Sequence, residues 1–539
     1  MTGFASITTV ALVLVGISGG EPLMADEAVS NQSVQREVDR LIEEINFLRK
    51  QAEQKTGRDT PDAVWVVSSS SDKPATDEDF TRIFNRLRRE VADLAMALNK
   101  VKTVGAPATA RRSRKVSVSD STYTVRAGGL TRNREVTIRN VGEEVVRNPR
   151  LTVNGRKQWF TTGDILKEVL DDSMTDRDKA VAIWSFLKEN RYHDQPAHND
   201  IEIHDPVRYL NVYGYGFCDD SATNFMALAE AAGLKSRVWG LSGHVVPEAY
   251  YNGDWHMLDP DGEIYYLDDD GENISSIKTL EQRPDIIRKY PSPYYTDADM
   301  LVRIYTTTDD NKISEWYRDK SETVHEMNYV LRPGESISRS WDNWGLYFSS
   351  RYLREPRKYA NGSFVYEPVL QDDLFRKGNR AQGLKLVSGD GESFLVSSSS
   401  KGGVWTIPVE SPYPLLSGTV VAEGNIDSEG SVTIEFSEDG DSWLLMSRAE
   451  EKGPLQMEVP TRSYLRNGHG RPVYAYSIRI SLKGSARIGS LKVVSEFQHA
   501  PHALPDLIQG SNRVHYSDET KDGREVLITF GFDEAKDDS

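Results

Sequence analysis

Residues 213–220 read Tyr-Gly-Tyr-Gly-Phe-Cys-Asp-Asp, and they contain Cys218, the single cysteine of the 539-residue chain. The two glycines predict a turn and the following residues predict a helix, so Cys218 lies where that helix begins. Unpaired N–H groups and the positive dipole end at a helix N-terminus favour a thiolate over a thiol. Cys218 is therefore a candidate nucleophile. The alternative is an inert cysteine, because free cysteine is among the most buried residue types.

The sequence after Cys218 predicts a helix followed by paired strands. Apolar residues recur at helical spacing from Phe225 to Ala232, and a glycine follows them. Asn252-Gly253 is the strongest short signal for a hairpin. The predicted segments are a helix at 221–233, strands at 237–241 and 244–251, and a last strand at 254–259.

The hairpin turn sets the register of the two strands that it joins. With Asn252-Gly253 as a two-residue loop, Tyr251 pairs with Asp254. If the ladder continues, His244 lies opposite Asp261 and diagonal to Asp259, all on one face. Diagonal neighbours are roughly 7–8 Å apart, within reach of an imidazole and a carboxylate.

The second histidine of the hairpin, His256, pairs with Ala249 and points to the other face. It is also three residues from Asp259, which puts those two side chains on opposite faces of a strand. His244 is therefore the predicted base. A cysteine, a histidine and a carboxylate suit covalent acyl transfer: the thiolate attacks an amide, the imidazole protonates the leaving amine, and the carboxylate orients the ring.

Four blocks of this region resemble the transglutaminase-like branch of the papain-type cysteine enzymes, in particular its exported bacterial members. The family pattern is Gly-x-Cys, then Arg-Val, then His-Ala-Trp-x-Glu-Val-Tyr, and then Gly-x-Trp-x-x-x-Asp-Pro-Thr. The matching blocks here are Gly216-Phe217-Cys218, Arg237-Val238, 244–250 and 253–261. The resemblance covers residues 160–310. It implies a papain-like α+β core with Cys218, His244 and Asp259 as the triad.

Two departures from the family pattern matter for the chemistry. Val246 stands where the family has tryptophan, and we expect it to leave the approach to His244 more open to solvent. Asp261 stands where the family has threonine, so the role of orienting His244 could belong to Asp259 or be shared with Asp261. A catalytically inactive domain that only binds is the alternative to an enzyme.

Residues 1–25 predict a signal peptide. The uncharged run at 5–18 is too short to span a bilayer, which takes about 20 residues. We therefore expect export, with a periplasmic or extracellular mature protein; the alternative is an ordinary buried N-terminus. At 26–105, apolar residues step by four and three over 34–48 and 80–101, which predicts a helical coiled-coil region. It could self-associate, bind a partner or dock on the core.

The remaining sequence alternates as strands and turns. The predicted parts are a linker and small β segment at 106–159, a β-rich connector at 311–383, a β-sandwich at 384–497 and a tail with a last strand at 498–539. Residues 437–443 resemble the Ser-x-Asp-Gly-x-x-Trp hairpin of discoidin-like and carbohydrate-binding sandwiches. This indicates a carbohydrate contact, with a purely structural hairpin as the alternative.

The net charge and the spacing of possible metal ligands bear on whether the protein binds nucleic acid or a metal ion. The net charge of −17 and the isoelectric point of about 5.2 argue against nucleic acid as the main partner. His193, His198 and His204 are spaced for neither a helical pair nor a common zinc motif. The acidic stretch 268–273 lacks the EF-hand order of ligands, so a solvated turn is favoured over a calcium site. We predict no metal and no cofactor.

The sequence as a whole predicts an α+β protein, with a papain-like transglutaminase core between an N-terminal coiled coil and a C-terminal β-sandwich. Its predicted activity is acyl transfer from peptide, isopeptide or glutamine amides of a protein or peptide substrate. We favour hydrolysis by a cysteine protease or amidase. A crosslinking transglutaminase and an inactive scaffold that binds a cell-surface partner are the alternatives.

Overall fold

The computed structural model describes residues 110–196, 201–289, 292, 297–307, 311–319, 321, 323–348, 355–389, 392–465 and 471–535. The chain divides into two compact units, Met1–Ala106 and Pro107–Ser539. The predicted signal peptide and helical coiled-coil region, at 1–25 and 26–105, lie outside the described residues. Among the residues that are described, none forms a helix with the length and apolar character that a membrane span requires.

The helices are short and lie mainly in the first half of the described chain. They are α1 (Thr162–Val169), α2 (Asp176–Glu189), α3 (Pro206–Arg208), α4 (Cys218–Ala231), α5 (Ile277–Gln282), α6 (Pro284–Lys289), α7 (Ala298–Thr306) and α8 (Glu315–Asp319), with a π-helical turn at Tyr209–Tyr213 and 3₁₀ turns at Ile201–His204, Leu374–Arg376 and Pro501–Ala503.

Strands precede, follow and interrupt the helical part. They are β1 (Ala110–Val116), β2 (Asp120–Ala127), β3 (Leu130–Asn140), β4 (Val146–Arg147), β5 (Arg150–Val153), β6 (Tyr192–His193), β7 (Tyr215–Gly216), β8 (Lys235–Leu241), β9 (His244–Tyr251), β10 (Asp254–Met257), β11 (Lys312–Ile313), β12 (Val330–Leu331), β13 (Glu335–Ser340), β14 (Ala360–Tyr366), β15 (Arg380–Gln382), β16 (Leu384–Gly389), β17 (Glu392–Ser397), β18 (Gly403–Ser437), β19 (Leu444–Ala449), β20 (Gly453–Pro460), β21 (Val473–His499), β22 (Gly510–Ser517) and β23 (Val526–Glu534).

Helix α4 is the predicted helix, and its apolar face is buried. Phe225 and Leu228 are fully buried, and Met226 packs with Val238 of β8. Burial of each large apolar side chain contributes about 1.5–3 kcal/mol. Gly233 follows the helix with a φ of 85°, a conformation that glycine adopts without strain. Helix α4 thereby packs on a sheet with the strand order β10-β9-β8-β11.

The predicted hairpin register is confirmed for β9 and β10. Tyr251 pairs with Asp254 and His256 pairs with Ala249, and both turn residues have positive φ, as a type I′ turn requires. The extension of this ladder to Asp261 was wrong, because β10 ends at Met257. Beyond it the chain turns, and Asp259 forms an isolated bridge with Ile264.

Strands from both ends of the described chain share one sheet. Within the described residues, twelve strands join it, and its main path is β1-β23-β3-β13-β14-β21-β17-β16. The predicted strand at the C-terminal end is β23, which pairs with both β1 and β3 and so returns to an earlier segment. The prediction of a β-rich C-terminal part is also confirmed, since β18 and β21 pair along much of their length.

Three buried histidines, His325, His499 and His502, are held in the neutral form. Burial is the main cause that lowers the pKa of His325, His499 and His502 to about 3, and a neighbouring arginine or lysine charge lowers each further. The folded-state pKa thus lies below the value of about 6.5 for an exposed imidazole. Between these values the unfolded chain binds more protons, so these groups lower stability as the pH falls.

The fully buried His499 allows this pH dependence to be measured. Lowering the pH from 7.5 to 5.0 is expected to reduce the free energy of unfolding less in His499→Gln than in the wild-type protein, by about 1–2 kcal/mol. Urea unfolding at the two pH values gives the comparison. His515→Gln, at an exposed histidine of β22, is the matched control and should decline like wild type. An equal decline in His499→Gln would show that His499 does not stay neutral.

Candidate active site

The start of helix α4 holds Cys218 in a fixed orientation. Phe217 is extended, and Cys218 is the first helical residue and is half-buried. The Phe217 N–H donates a hydrogen bond to Oδ2 of Asp220 at 2.7 Å. Gly216 must lack a side chain, because a Cβ there would lie 2.7 Å from the same oxygen. These contacts fix the turn from which the thiol projects.

A buried histidine supports this helix start from the other side. Nε2 of His204 donates to Oδ1 of Asp220 at 3.2 Å, and both side chains are buried. The His204 ring also meets Trp316 of α8 edge-on, with ring centroids 6.1 Å apart. His204 therefore has a structural role in seating the first turn of α4.

His244 is oriented by Asp259. Its Nε2 donates to Oδ2 of Asp259 at 2.7 Å, and both side chains are almost fully buried. The other oxygen of Asp259, Oδ1, accepts the backbone N–H groups of Asp261 and Gly262 at 2.9 and 2.8 Å. The carboxylate is thus fixed by the turn that it closes, and the imidazole is fixed by the carboxylate.

The thiol lies next to this imidazole. Sγ of Cys218, a ring nitrogen of His244 and a carboxylate oxygen of Asp261 lie within 4.8 Å of one another. Burial lowers the pKa of His244, but the charge and hydrogen bond of Asp259, together with those of Cys218, raise it well above its usual value. An imidazolium is therefore favoured, and an imidazolium stabilises an adjacent thiolate.

Asp261 has partners of its own. Its Oδ1 accepts from Nη1 of Arg191 at 2.5 Å and from Nδ1 of His193 at 2.8 Å. Burial raises its pKa, but the His193 hydrogen bond and the Arg191 charge outweigh burial and lower the pKa to about 2. Of the two acids, Asp259 makes the hydrogen bond to His244, whereas Asp261 is an anion held beside the site.

Arg237 and Glu248, which both belong to the family pattern, have a structural role. Arg237 Nε and Trp239 Nε1 both donate to Oε2 of Glu248 at 2.6 Å. Oε1 of the same carboxylate accepts the Ile277 N–H at 2.7 Å, at the start of α5. Glu248 is fully buried, so its three partners tie β8, β9 and α5 together behind His244.

The expectation that Val246 opens a path to His244 was wrong. Val246 is fully buried and belongs to an apolar cluster that includes Trp239, Met257 and Tyr305. The smaller side chain is therefore enclosed by core residues and opens no path for solvent to His244.

His256 lies outside the site, as its face of the hairpin predicted. Its ring stacks on Tyr251 at a centroid distance of 3.7 Å, and its Nδ1 lies 2.6 Å from the carbonyl oxygen of Ile274. These contacts give His256 a role in packing rather than in proton transfer at Cys218.

The acidic and histidine-rich stretches outside the triad have local partners. Asp270 accepts the backbone N–H groups of Glu272 and Asn273, and Asp269 pairs with Arg283. These bonds fit the predicted solvated turn. His193 and His204 bond to different carboxylates, and His198 lies outside the described residues.

The 437–443 hairpin is closed by its own polar side chains. Asp439 accepts the backbone N–H groups of Asp441 and Ser442, and hydrogen bonds from this turn lower its pKa. The guanidinium of Arg479 covers the Trp443 ring at 4.1 Å from its centroid. Both contacts are typical of a structural hairpin.

Residues 164–260 match the family model of the transglutaminase-like superfamily. The chain contains a transglutaminase-like domain. The match ends just after Asp259, and it includes Cys218 and His244. No curated protein matches the sequence.

The solved structures that are similar to a part of the chain are distant. One is the C-terminal CBM6 of LamC, a marine laminarinase from Zobellia galactanivorans, with 6% identity, 24% of this chain and 98% of that chain covered, and a TM-score of 0.17. Another is a family 29 carbohydrate-binding module, with 13% identity, 25% and 89% covered, and a TM-score of 0.16. Scores this low carry no inference about fold or ligand.

Proposed function

We propose that the transglutaminase-like domain is a papain-like cysteine enzyme that transfers acyl groups from peptide, isopeptide or glutamine amides. One observation carries this proposal: His244 is bonded to Asp259 at 2.7 Å and lies beside the thiol of Cys218, with its pKa raised. This geometry supplies a thiolate, a proton donor and an orienting carboxylate in one place.

The reaction would follow from these three groups. The Cys218 thiolate forms a bond to the amide carbon while the carbonyl electron pair moves to oxygen. The pair on oxygen then re-forms the C=O bond as the C–N bond breaks, and the His244 imidazolium gives its proton to the leaving nitrogen. A thioester remains on Cys218, and the neutral His244 can take a proton from the incoming acceptor.

The acceptor of the acyl group, water or an amine, decides between hydrolysis and crosslinking. Hydrolysis is favoured because Cys218 is only half-buried, so water can reach a thioester there. An amine acceptor, which would make a crosslinking transglutaminase, uses the same thioester. An inactive scaffold is the third reading, and it requires an unreactive Cys218.

For the predicted signal peptide, the heptad region and the C-terminal β-sandwich, the proposal depends on the sequence. Residues 1–25 support export to the periplasm or the outside of the cell, and the heptads within 26–105 support self-association or partner binding. A C-terminal β-sandwich with carbohydrate contact rests on the 437–443 motif, although its side-chain contacts favour a structural hairpin.

Incubation with dimethylcasein and a biotin-labelled alkylamine tests the acceptor. We expect ammonia or cleavage products in excess of incorporated biotin, because Cys218 is half-buried and water can reach the thioester. Cys218→Ala should abolish every product. Biotin incorporation with little ammonia or cleavage would instead identify a crosslinking enzyme.

A further inference from the structure

A buried carboxylate of the transglutaminase-like domain accepts hydrogen bonds from two tyrosines, one of which belongs to the β-rich part of the chain. The carboxylate is that of Glu202, in the 3₁₀ turn Ile201–His204. The hydroxyl of Tyr213 donates to Oε1 of Glu202 at 2.5 Å, and the hydroxyl of Tyr474, in β21, donates to the same oxygen. The proposed acyl transfer uses none of these three side chains.

The two tyrosines keep the protons that they donate. Burial is the main cause that raises the pKa of each hydroxyl well above its usual value, and the negative charge of Glu202 raises it further. The guanidinium of Arg208 lies over the Tyr474 ring, 5.0 Å from its centroid, and acts in the opposite direction without reversing the shift. Both hydroxyls therefore remain donors, and a buried carboxylate with two such donors is held at one position.

The turn that contains Glu202 is also bonded to the helix that carries the nucleophile. The next residue, Ile203, accepts a hydrogen bond on its backbone oxygen from Nδ2 of Asn224 in α4, at 2.8 Å. The residue after that, His204, donates to Asp220 at 3.2 Å, and Asp220 fixes the turn from which the thiol projects. Three consecutive residues of one buried turn therefore connect β21 with the first turns of α4.

We propose that Tyr474 is a positioning residue for the reaction of Cys218; this inference rests on the proposed function. Its hydroxyl acts on the sulfur through Glu202 and His204, which hold the start of α4. Stabilisation of the thiolate by the His244 imidazolium and by the helix N-terminus depends on where that start places the sulfur. The β-rich part of the chain thus completes the active site of the transglutaminase-like domain.

Tyr474→Phe removes the hydroxyl and keeps the ring. It is expected to lower kcat on dimethylcasein about tenfold and to leave KM nearly unchanged, because the reacting groups are displaced and the substrate contacts are not. The pH at which iodoacetamide alkylates Cys218 at half its maximal rate should rise by about one unit, since a displaced sulfur loses part of its stabilisation as a thiolate.

Tyr476→Phe is the matched control. Tyr476 belongs to the same strand, and its buried hydroxyl lies 2.7 Å from Oγ of Ser495. This variant also loses a buried hydrogen bond, so urea titration should show a similar fall in the free energy of unfolding for both variants. Its kcat and its alkylation profile should stay at wild-type values. Equal changes in the two variants, or wild-type behaviour of Tyr474→Phe, would overturn the positioning role.

The route through the turn is tested by combining two changes. His204→Ala alone should raise the alkylation midpoint as Tyr474→Phe does, and the double variant should show little further rise, because both changes release the same turn. Fully additive rises would overturn the route through His204. If wild-type Cys218 is alkylated no faster than free cysteine is, the proposed function itself is wrong.

Discussion

His244→Ala is expected to lower acyl transfer by at least about 10³-fold and to lower the alkylation rate of Cys218 at pH 6 about tenfold. The wild-type imidazolium stabilises an adjacent thiolate, which is the form of cysteine that iodoacetamide alkylates. Without the ring, Cys218 loses both this stabilisation and the proton donor for the leaving amine. Rates of iodoacetamide labelling and of amide turnover measure the two losses separately.

His256→Ala is the matched control for this experiment. His256 belongs to the same hairpin, but its ring stacks on Tyr251 and bonds to backbone carbonyl oxygens. Its removal should lower the free energy of unfolding and leave the reactivity of Cys218 close to wild type. A loss of reactivity in His256→Ala, with none in His244→Ala, would contradict the assignment of the base.

The local part of the site could be predicted from sequence because local rules determine it. Asn252-Gly253 determines the strand register, and the register decides which face carries His244 and which carries His256. The same rule failed beyond Met257, where Asp259 bonds to the backbone of its own turn. Side chains that compete with the ladder for backbone groups end strands in this way.

The contacts of Asp261 could not be predicted because they are distant in sequence. Arg191 is 70 residues away from Asp261 and carried no signal of its own. The histidine spacing that includes His193 fits no common zinc motif and does not indicate a carboxylate partner. The contacts of His193 with Asp261 and Phe217 arise once β6 pairs with β7.

The pairing partners of strands were the least predictable feature of the fold. The alternation of apolar residues identified β23 as a strand, yet nothing local indicates that it lies between β1 and β3. The wrong expectation for Val246 has a similar cause. Its neighbours Met257 and Tyr305 come from other elements, so its burial depends on packing that a single strand does not encode.

Asp259→Asn is expected to lower acyl transfer about 10³–10⁴-fold while the protein remains folded. Oδ1 of Asp259 accepts two backbone N–H groups, so an asparagine there should keep its oxygen on that side and turn its NH₂ group toward His244. Nε2 of His244 would then have to accept a hydrogen bond, so the ring hydrogen would lie on Nδ1. In that tautomer Nδ1 can no longer take a proton from the thiol.

Gly262→Ala tests the same contact sterically, since a Cβ at this position would lie 2.5 Å from Oδ2 of Asp259 and must displace the carboxylate. We expect a smaller loss of acyl transfer, about tenfold, because a displaced carboxylate can still reach the ring. Gly163→Ala is the matched control, because its Cβ would meet its nearest neighbour at 3.7 Å, an ordinary contact. Turnover and thermal unfolding are measured together for all three variants. If Asp259→Asn kept wild-type turnover, Asp259 would not orient His244, and the role would pass to Asp261, whose anionic charge lies close enough to the ring to stabilise the imidazolium.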